Sequence, residues 1–168
     1  AELGMCSINL SGQSISDPTF IESVCERLEH SSVPNRKICF EVTETAAIAN
    51  LTKASDFIRQ LQAKGVRFAL DDFGSGMSSF GYLKQLPVDY LKIDGSFVKD
   101  ITRDPQDRAF VEAINSVGHS MAMTTVAEFV EDDQILAVLQ QIGIDYAQGY
   151  GIARPAPLKE LLTSPIES

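Results

Sequence analysis

An α/β fold with a parallel sheet is what this sequence predicts, on three observations. Short segments rich in β-formers alternate with longer segments of helical period. Most of the short segments are nearly continuous apolar runs, as in strands covered on both faces. Polar and acidic residues then gather at the C-terminal ends of those same segments.

The first predicted strand covers residues 5–9. Asp17-Pro18 follows as an N-cap with proline at the first helical position, and Phe20, Val24 and Leu28 share one face of the helix it opens. A strand at 38–43 precedes a helix with Ala54, Phe57, Ile58 and Leu61 on its apolar stripe, closed by Gly65. Strands at 66–71 and 90–93 follow, with Pro87 marking the boundary between them. Phe110, Ala113, Ile114 and Val117 define the next stripe, ahead of a strand at 124–128. Ile135, Leu136 and Leu139 define the last, and Gly143 separates it from a strand at 146–148. Six strand–helix units are two short of the eight that close a TIM-type (β/α)8 barrel. Gly4-Met5-Cys6 also enters a strand at once, without an initiator methionine. The expectation is one domain over residues 1–168, cut from a longer chain, with the first two strands of the barrel missing.

Composition narrows the function. The 168 residues are 44% hydrophobic and 22% charged, an ordinary globular balance sufficient for one core. No apolar run approaches the roughly 20 residues of a membrane span, and Ala1-Glu2-Leu3-Gly4 is not a secretory signal, so a soluble chain is expected. With 14 Lys and Arg against 23 Asp and Glu, a net charge of -9 repels polymeric nucleic acid. Cys6, Cys25 and Cys39 lack any paired short spacing and read as reduced, buried thiols in a cytoplasmic setting. His30 and His119 fall at helix ends, so a histidine-based mechanism is not expected.

The strand ends carry Asn9, then Glu41 and Glu44, Asp71 and Asp72, Lys92 and Asp94, Glu128, and Gln148. A lone Asp after a strand is ordinarily a cap or turn residue. Here the same placement recurs on six strands, and a parallel barrel brings those ends onto one face. Glu41, Asp71, Asp72 and Glu128 crowded there cannot all stay ionised without cations. An all-oxygen set favours Mg²⁺ or Mn²⁺, and consecutive Asp71-Asp72 suits two ions roughly 3.5–4 Å apart. Strand alternation turns Lys92 inward if Leu91 and Ile93 point out. An inward lysine can position an attacking water or form a Schiff base, and the surrounding carboxylates, which keep it charged, argue against the second use. Residues 72–79, Asp-Phe-Gly-Ser-Gly-Met-Ser-Ser, form a Gly-rich loop that is neither a Walker motif nor a dinucleotide fingerprint.

Six motifs in order, Ser7-Ile8-Asn9-Leu10-Ser11, Phe40-Glu41-Val42-Thr43-Glu44-Thr45, Leu70-Asp71-Asp72-Phe73-Gly74, Leu91-Lys92-Ile93-Asp94, Ala127-Glu128-Phe129-Val130-Glu131 and Gln148-Gly149-Tyr150, resemble those of the EAL-domain cyclic di-GMP phosphodiesterases. The resemblance implies a (β/α)8 barrel with one reversed strand that uses two Mg²⁺ or Mn²⁺ ions to open cyclic di-GMP to linear pGpG. It implies Asn9, Glu41 and Asp71 as ligands of one ion, and Asp71 and Asp72 as ligands of the other. Lys92 is similar to the family's water-positioning lysine, with Glu128 beside it, and Glu44 to the glutamate that braces the 72–79 loop and couples it to dimerisation. Gln148, Asp94, Phe73 and Gly74 are the implied substrate contacts. A homodimer, sensory or GGDEF domains elsewhere in the parent chain, and a cytoplasmic site with the parent open to inner-membrane attachment through another domain, follow from the same resemblance. Three departures stand out: no Glu-Ala-Leu motif occurs, Phe129 replaces a glycine, and Met77 replaces an aromatic residue. Two readings stay open at this stage, a phosphodiesterase and a degenerate receptor that binds cyclic di-GMP without cutting it.

Overall fold

The computed structural model describes residues 4–76 and 80–157. Met77, Ser78 and Ser79 of the Gly-rich loop lie outside the described residues, as do positions 1–3 and 158–168.

Strands β1 (Cys6–Leu10), β2 (Ile38–Thr43), β3 (Arg67–Phe73), β4 (Tyr90–Ile93), β5 (Thr124–Ala127) and β6 (Tyr146–Ala147) form one sheet in sequential order, every neighbouring pair parallel. Between them run α1 (Gly12–Ser16), α2 (Pro18–His30), α3 (Glu44–Ala49), α4 (Leu51–Gln62), α5 (Gly95–Val98), α6 (Pro105–Ser120) and α7 (Asp133–Ile142). A doubly wound sheet reverses its strand order at a switch point. This one never reverses, so every helical crossover, made with the same hand, falls on the same face. The opposite face is a concave trough enclosing a cavity of ≈ 690 Å³, into which Glu41, Ala69 and Lys92 project.

Strand alternation sends Phe40, Val42, Phe68, Leu70, Leu91 and Ile93 the other way, into the layer between sheet and helices, where each is at most 5% exposed. Phe57 of α4 meets Phe68 edge-on with ring centroids 6.0 Å apart, and Phe68 in turn packs against Phe40 at 5.7 Å. Burying each such ring stabilises the fold by roughly 1.5–3 kcal/mol. The Asp17-Pro18 start of α2 is as expected, with Asp17 accepting from the Thr19 N–H, and Asp104-Pro105 repeats the device at α6. Gly143 closes α7 at φ 85°, a left-handed backbone that costs glycine no Cβ clash.

Two aspartates fasten the N-terminal ends of the strands. Asp89, one residue before β4, accepts from the Phe68 N–H of β3 at 2.9 Å and from Gln62 of α4 at 3.0 Å. Asp145, one residue before β6, accepts from the Thr125 N–H and hydroxyl of β5 at 2.7 and 3.0 Å, and His119 Nε2 lies 2.8 Å from it. Burial would raise the Asp145 carboxyl, but the Thr125 and His119 hydrogen bonds outweigh it and hold the group below its usual range.

Two expectations need correction. Phe110 and Ala113 face solvent, and the buried face of α6 is Val111, Ile114, Asn115 and Gly118, one step around the helix. A purely apolar count passes over Asn115, which is satisfied in the core by the Thr125 hydroxyl at 2.7 Å and the Ile142 carbonyl at 3.2 Å. The cysteines are free but not uniformly buried: Cys6 is exposed, Cys25 intermediate and Cys39 buried. Burial pushes the Cys39 thiol up to about 12, with Glu41 and Asp89 adding to it, which makes it inert. No helix among the described residues is long and apolar enough to cross a membrane.

Candidate active site

Lys92 is the centre of the site. Its apolar neighbours Leu91 and Ile93 are wholly buried on the helix side, so alternation turns the ammonium into the trough at the C-terminal end of β4. Nζ lies 2.8 Å from Glu41 of β2, 2.7 Å from Asp71 of β3 and 2.9 Å from Glu128, which follows β5. Three N–H donors thus meet three carboxylates from three strands. Burial would lower the Lys92 pKa, but the close contacts with the Asp71, Glu41 and Glu128 carboxylates outweigh it and hold the ammonium above the ordinary lysine range. A lysine so firmly charged is no nucleophile, which removes the Schiff-base alternative.

Asp71 and Asp72 are adjacent in sequence, and a regular strand would point them to opposite faces. The pairing of β3 with β4 shifts register between Leu70 and Phe73, and Asp72 takes φ 55°. This bulge re-aims the second carboxylate. Oxygens of Asp71, Asp72 and Glu128 consequently lie within 4.8 Å of one another. Burial raises the Asp72 carboxyl, and the charges of Asp71 and Asp94 add to it. Burial likewise raises Glu128, against the pull of Lys92, with further repulsion from Asp71 and Asp72.

This donor set fits a hard divalent cation. Ligand distances of 2.0–2.6 Å let one ion touch oxygens separated by that span. Asp71 Oδ1 is also shut off from solvent without a well-directed hydrogen bond, the Lys92 contact notwithstanding. One ammonium does not balance four acidic groups.

The other anticipated residues fall around this core. Asn9 sits on β1 in register with Glu41. Glu44 opens α3 and is only 2% exposed; its carboxylate accepts from the Gly74 N–H at 3.1 Å and from the Tyr82 hydroxyl. Phe73 turns its ring into the core against Phe80, so it and Gly74 offer the site backbone rather than side chain. Asp94 caps α5, accepting from the Ser96 N–H at 2.8 Å. Gln148 binds Ala127 and Val130 through its backbone and lines both the trough and a smaller pocket beside Glu128.

A family model for the EAL domain matches residues 1–155, which is most of the chain. The chain belongs to the EAL domain family. Among curated relatives, this EAL domain is 50% identical over 152 residues to the cyclic di-GMP phosphodiesterase PdeB of Shewanella oneidensis, covering 90% of this chain and 18% of that protein. It therefore spans about a fifth of that relative's length. Among solved structures, the PaMucR phosphodiesterase in complex with c-di-GMP superposes with a TM-score of 0.87 at 34% identity, covering 94% of this chain and 64% of the other. The EAL domain of Mycobacterium smegmatis DcpA gives 0.88 at 33% identity, covering 95% and 71%.

Sequence reasoning did not single out Tyr82. Burial and the hydrogen bond to Glu44 hold its hydroxyl well above the ordinary phenol range, so it stays protonated and donates to the Glu44 carboxylate. The available signal was a tyrosine in an apolar setting, whose hydroxyl needs a partner when buried.

Proposed function

We propose that this EAL domain is the hydrolytic part of a cyclic di-GMP phosphodiesterase. The observation that carries this reading is the meeting of Glu41, Asp71, Glu128 and Lys92 from four strands at one point, with Asp72 brought in by the bulge. In this reading Asn9, Glu41 and Asp71 would hold one Mg²⁺ or Mn²⁺ ion and Asp71 and Asp72 a second, the pair supplying Lewis acidity to the phosphate and stabilising charge on the attacking and leaving oxygens. With Asp71 drawn onto the ions, the Lys92 N–H now facing it would be free to donate to the attacking water and orient it, while Glu41 and Glu128 fix the direction of the ammonium. Water oxygen joins phosphorus and gives up a proton, the bond to the ribose 3′ oxygen breaks, and that oxygen takes up a proton in its turn, so that linear pGpG forms with no net proton gained or lost in the step. Glu44 ties the Gly74 end of the loop to the sheet, which keeps Asp72 in place.

The same reading makes residues 1–168 part of a single EAL domain, working in the cytoplasm as a homodimer in a chain that carries sensory or GGDEF domains. The relatives named for cyclic di-GMP hydrolysis support it, as does the net charge of -9, which disfavours polymeric nucleic acid. The test is chromatography of cyclic di-GMP incubated with the full-length protein and Mg²⁺ or Mn²⁺, with Asp71→Ala as the matched control. Conversion to pGpG by the wild type alone is expected. Tight binding without product would make the domain a receptor, and equal turnover by Asp71→Ala would refute the two-ion reading.

A further inference from the structure

Glu128 enters the acidic cluster on a segment that two neighbouring strand ends grip closely. Its own N–H donates to the Ile93 carbonyl of β4 at 3.2 Å, the Val130 N–H to the Gln148 carbonyl at 3.1 Å, and the Gly151 N–H to the Val130 carbonyl at 2.8 Å. At the closest approaches the facing residue is a glycine: Gly95 under Phe129, Gly149 against Val130, and Gly151 against Glu131. None of these three has a left-handed backbone, so room and not conformation requires glycine there.

The room is tight. A Cβ at Gly149 would lie 2.3 Å from both the N and the O of Val130, and one at Gly151 2.6 Å from the carbonyl carbon of Glu131. These are backbone atoms, which no rotamer change can move aside. A Cβ at Gly95 would lie 2.2 Å from Phe129 Cδ2 and 2.7 Å from its Cβ. Phe129, at φ 56°, already holds a conformation that a bulky residue keeps only where its surroundings impose it. Ordinary contact begins near 3.4 Å, so an alanine at 149 displaces the facing segment by about 1 Å. Glu128 stands at the head of that segment, and its buried carboxylate lies 2.9 Å from Lys92 Nζ. A displacement of that size is enough to take the carboxylate out of hydrogen-bond reach of the ammonium.

From this packing we infer that Gly149 and Gly151, with Gly95 beneath Phe129, are positioning residues: their bare backbones set where Glu128 stands against Lys92, and through Lys92 how the attacking water is held. The inference rests on the function proposed above and deepens it. None of the three glycines offers a side chain to a ligand, so they act through the carboxylate they place. A misplacement of about 1 Å at a reacting centre costs roughly a hundredfold in rate.

The experiment measures cyclic di-GMP hydrolysis by the full-length protein in a double-mutant cycle of Gly149→Ala with Glu128→Ala. Gly149→Ala is expected to lower kcat about a hundredfold with KM little changed. In the Glu128→Ala background, where no carboxylate is left to place, it lowers kcat by less than about threefold further. Gly95→Ala supplies an independent arm, because its clash is with a side chain that can be removed. It lowers kcat by itself, and adding Phe129→Gly, which also suits the left-handed backbone, restores kcat to the level of Phe129→Gly alone. Unchanged kcat in Gly149→Ala, losses that multiply in the Glu128→Ala background, or a Gly95→Ala loss that Phe129→Gly leaves in place overturns the positioning role and leaves the proposed activity standing. If Gly149→Ala does not fold, the Gly95 arm decides alone. A wild type without turnover overturns the proposed function and this inference with it.

Discussion

Replacing Lys92 by Met keeps the length of the side chain and removes its charge. Glu41, Asp71 and Glu128, each within 2.9 Å of the ammonium, then face one another with no counter-charge. The site is buried, with Lys92 only 4% exposed, so water cannot screen the loss. Removing one partner of a buried ion pair costs about 3–5 kcal/mol. For a chain of this size each kcal/mol moves the melting temperature by roughly 2–4 °C, so Lys92→Met is expected to melt roughly 6–20 °C below wild type in EDTA. Divalent cations supply the missing positive charge, so most of that gap should close in Mg²⁺ or Mn²⁺ while hydrolysis stays abolished. Calorimetry of the domain's transition with and without metal reads both effects. If wild type and Lys92→Met melt together in EDTA, the carboxylates are not the mutually repelling, charged cluster described above, and the electrostatic reasoning fails.

Other perturbations probe the surroundings of the site. Tyr82→Phe deprives the buried Glu44 carboxylate of a donor and should cost about 1.5–3 kcal/mol in urea unfolding; because Glu44 also holds Gly74, the metal concentration for half-maximal activity should rise with it, and an unchanged value would separate Tyr82 from the loop. Asp145→Asn should lower stability at neutral pH and converge with wild type in acid. The sign follows from a carboxyl whose folded pKa is depressed: its stabilisation is complete above the unfolded value near 3.9 and disappears as pH falls through the lower folded value, so unfolding curves at pH 7 and pH 2.5 decide it. On α6, Ile114→Ala should cost about 2–5 kcal/mol and Phe110→Ser within about 0.5 kcal/mol; the reverse order would restore the helix face expected from apolar residues alone.

Much of the fold was legible because apolar runs and helical stripes mark elements directly. The inward direction of Lys92 followed from alternation with Leu91 and Ile93, and the structure keeps it. What alternation hides is the convergence of Asp71 with Asp72. That depends on the register shift before Phe73 and the left-handed backbone at Asp72, and neither leaves a pattern in residue type. The α6 face was misjudged because a buried asparagine satisfied by Thr125 looks, in sequence, like a solvent-facing one. Phe129 stood out only as a departure from the glycine of the resembled motif, and its left-handed backbone and its seat against the bare backbone of Gly95 became visible only in three dimensions.

The fastenings at Asp89 and Asp145 lie at the opposite end of the sheet from Lys92 and its acidic partners. The two ends draw on separate sets of residues, so selection can act on one without dismantling the other. A descendant that exchanged Glu41 or Asp71 for neutral side chains would forfeit the proposed hydrolysis yet keep the strand fastenings at Asp89 and Asp145. Loss of the proposed turnover with retention of the fold is then a short evolutionary step from this architecture.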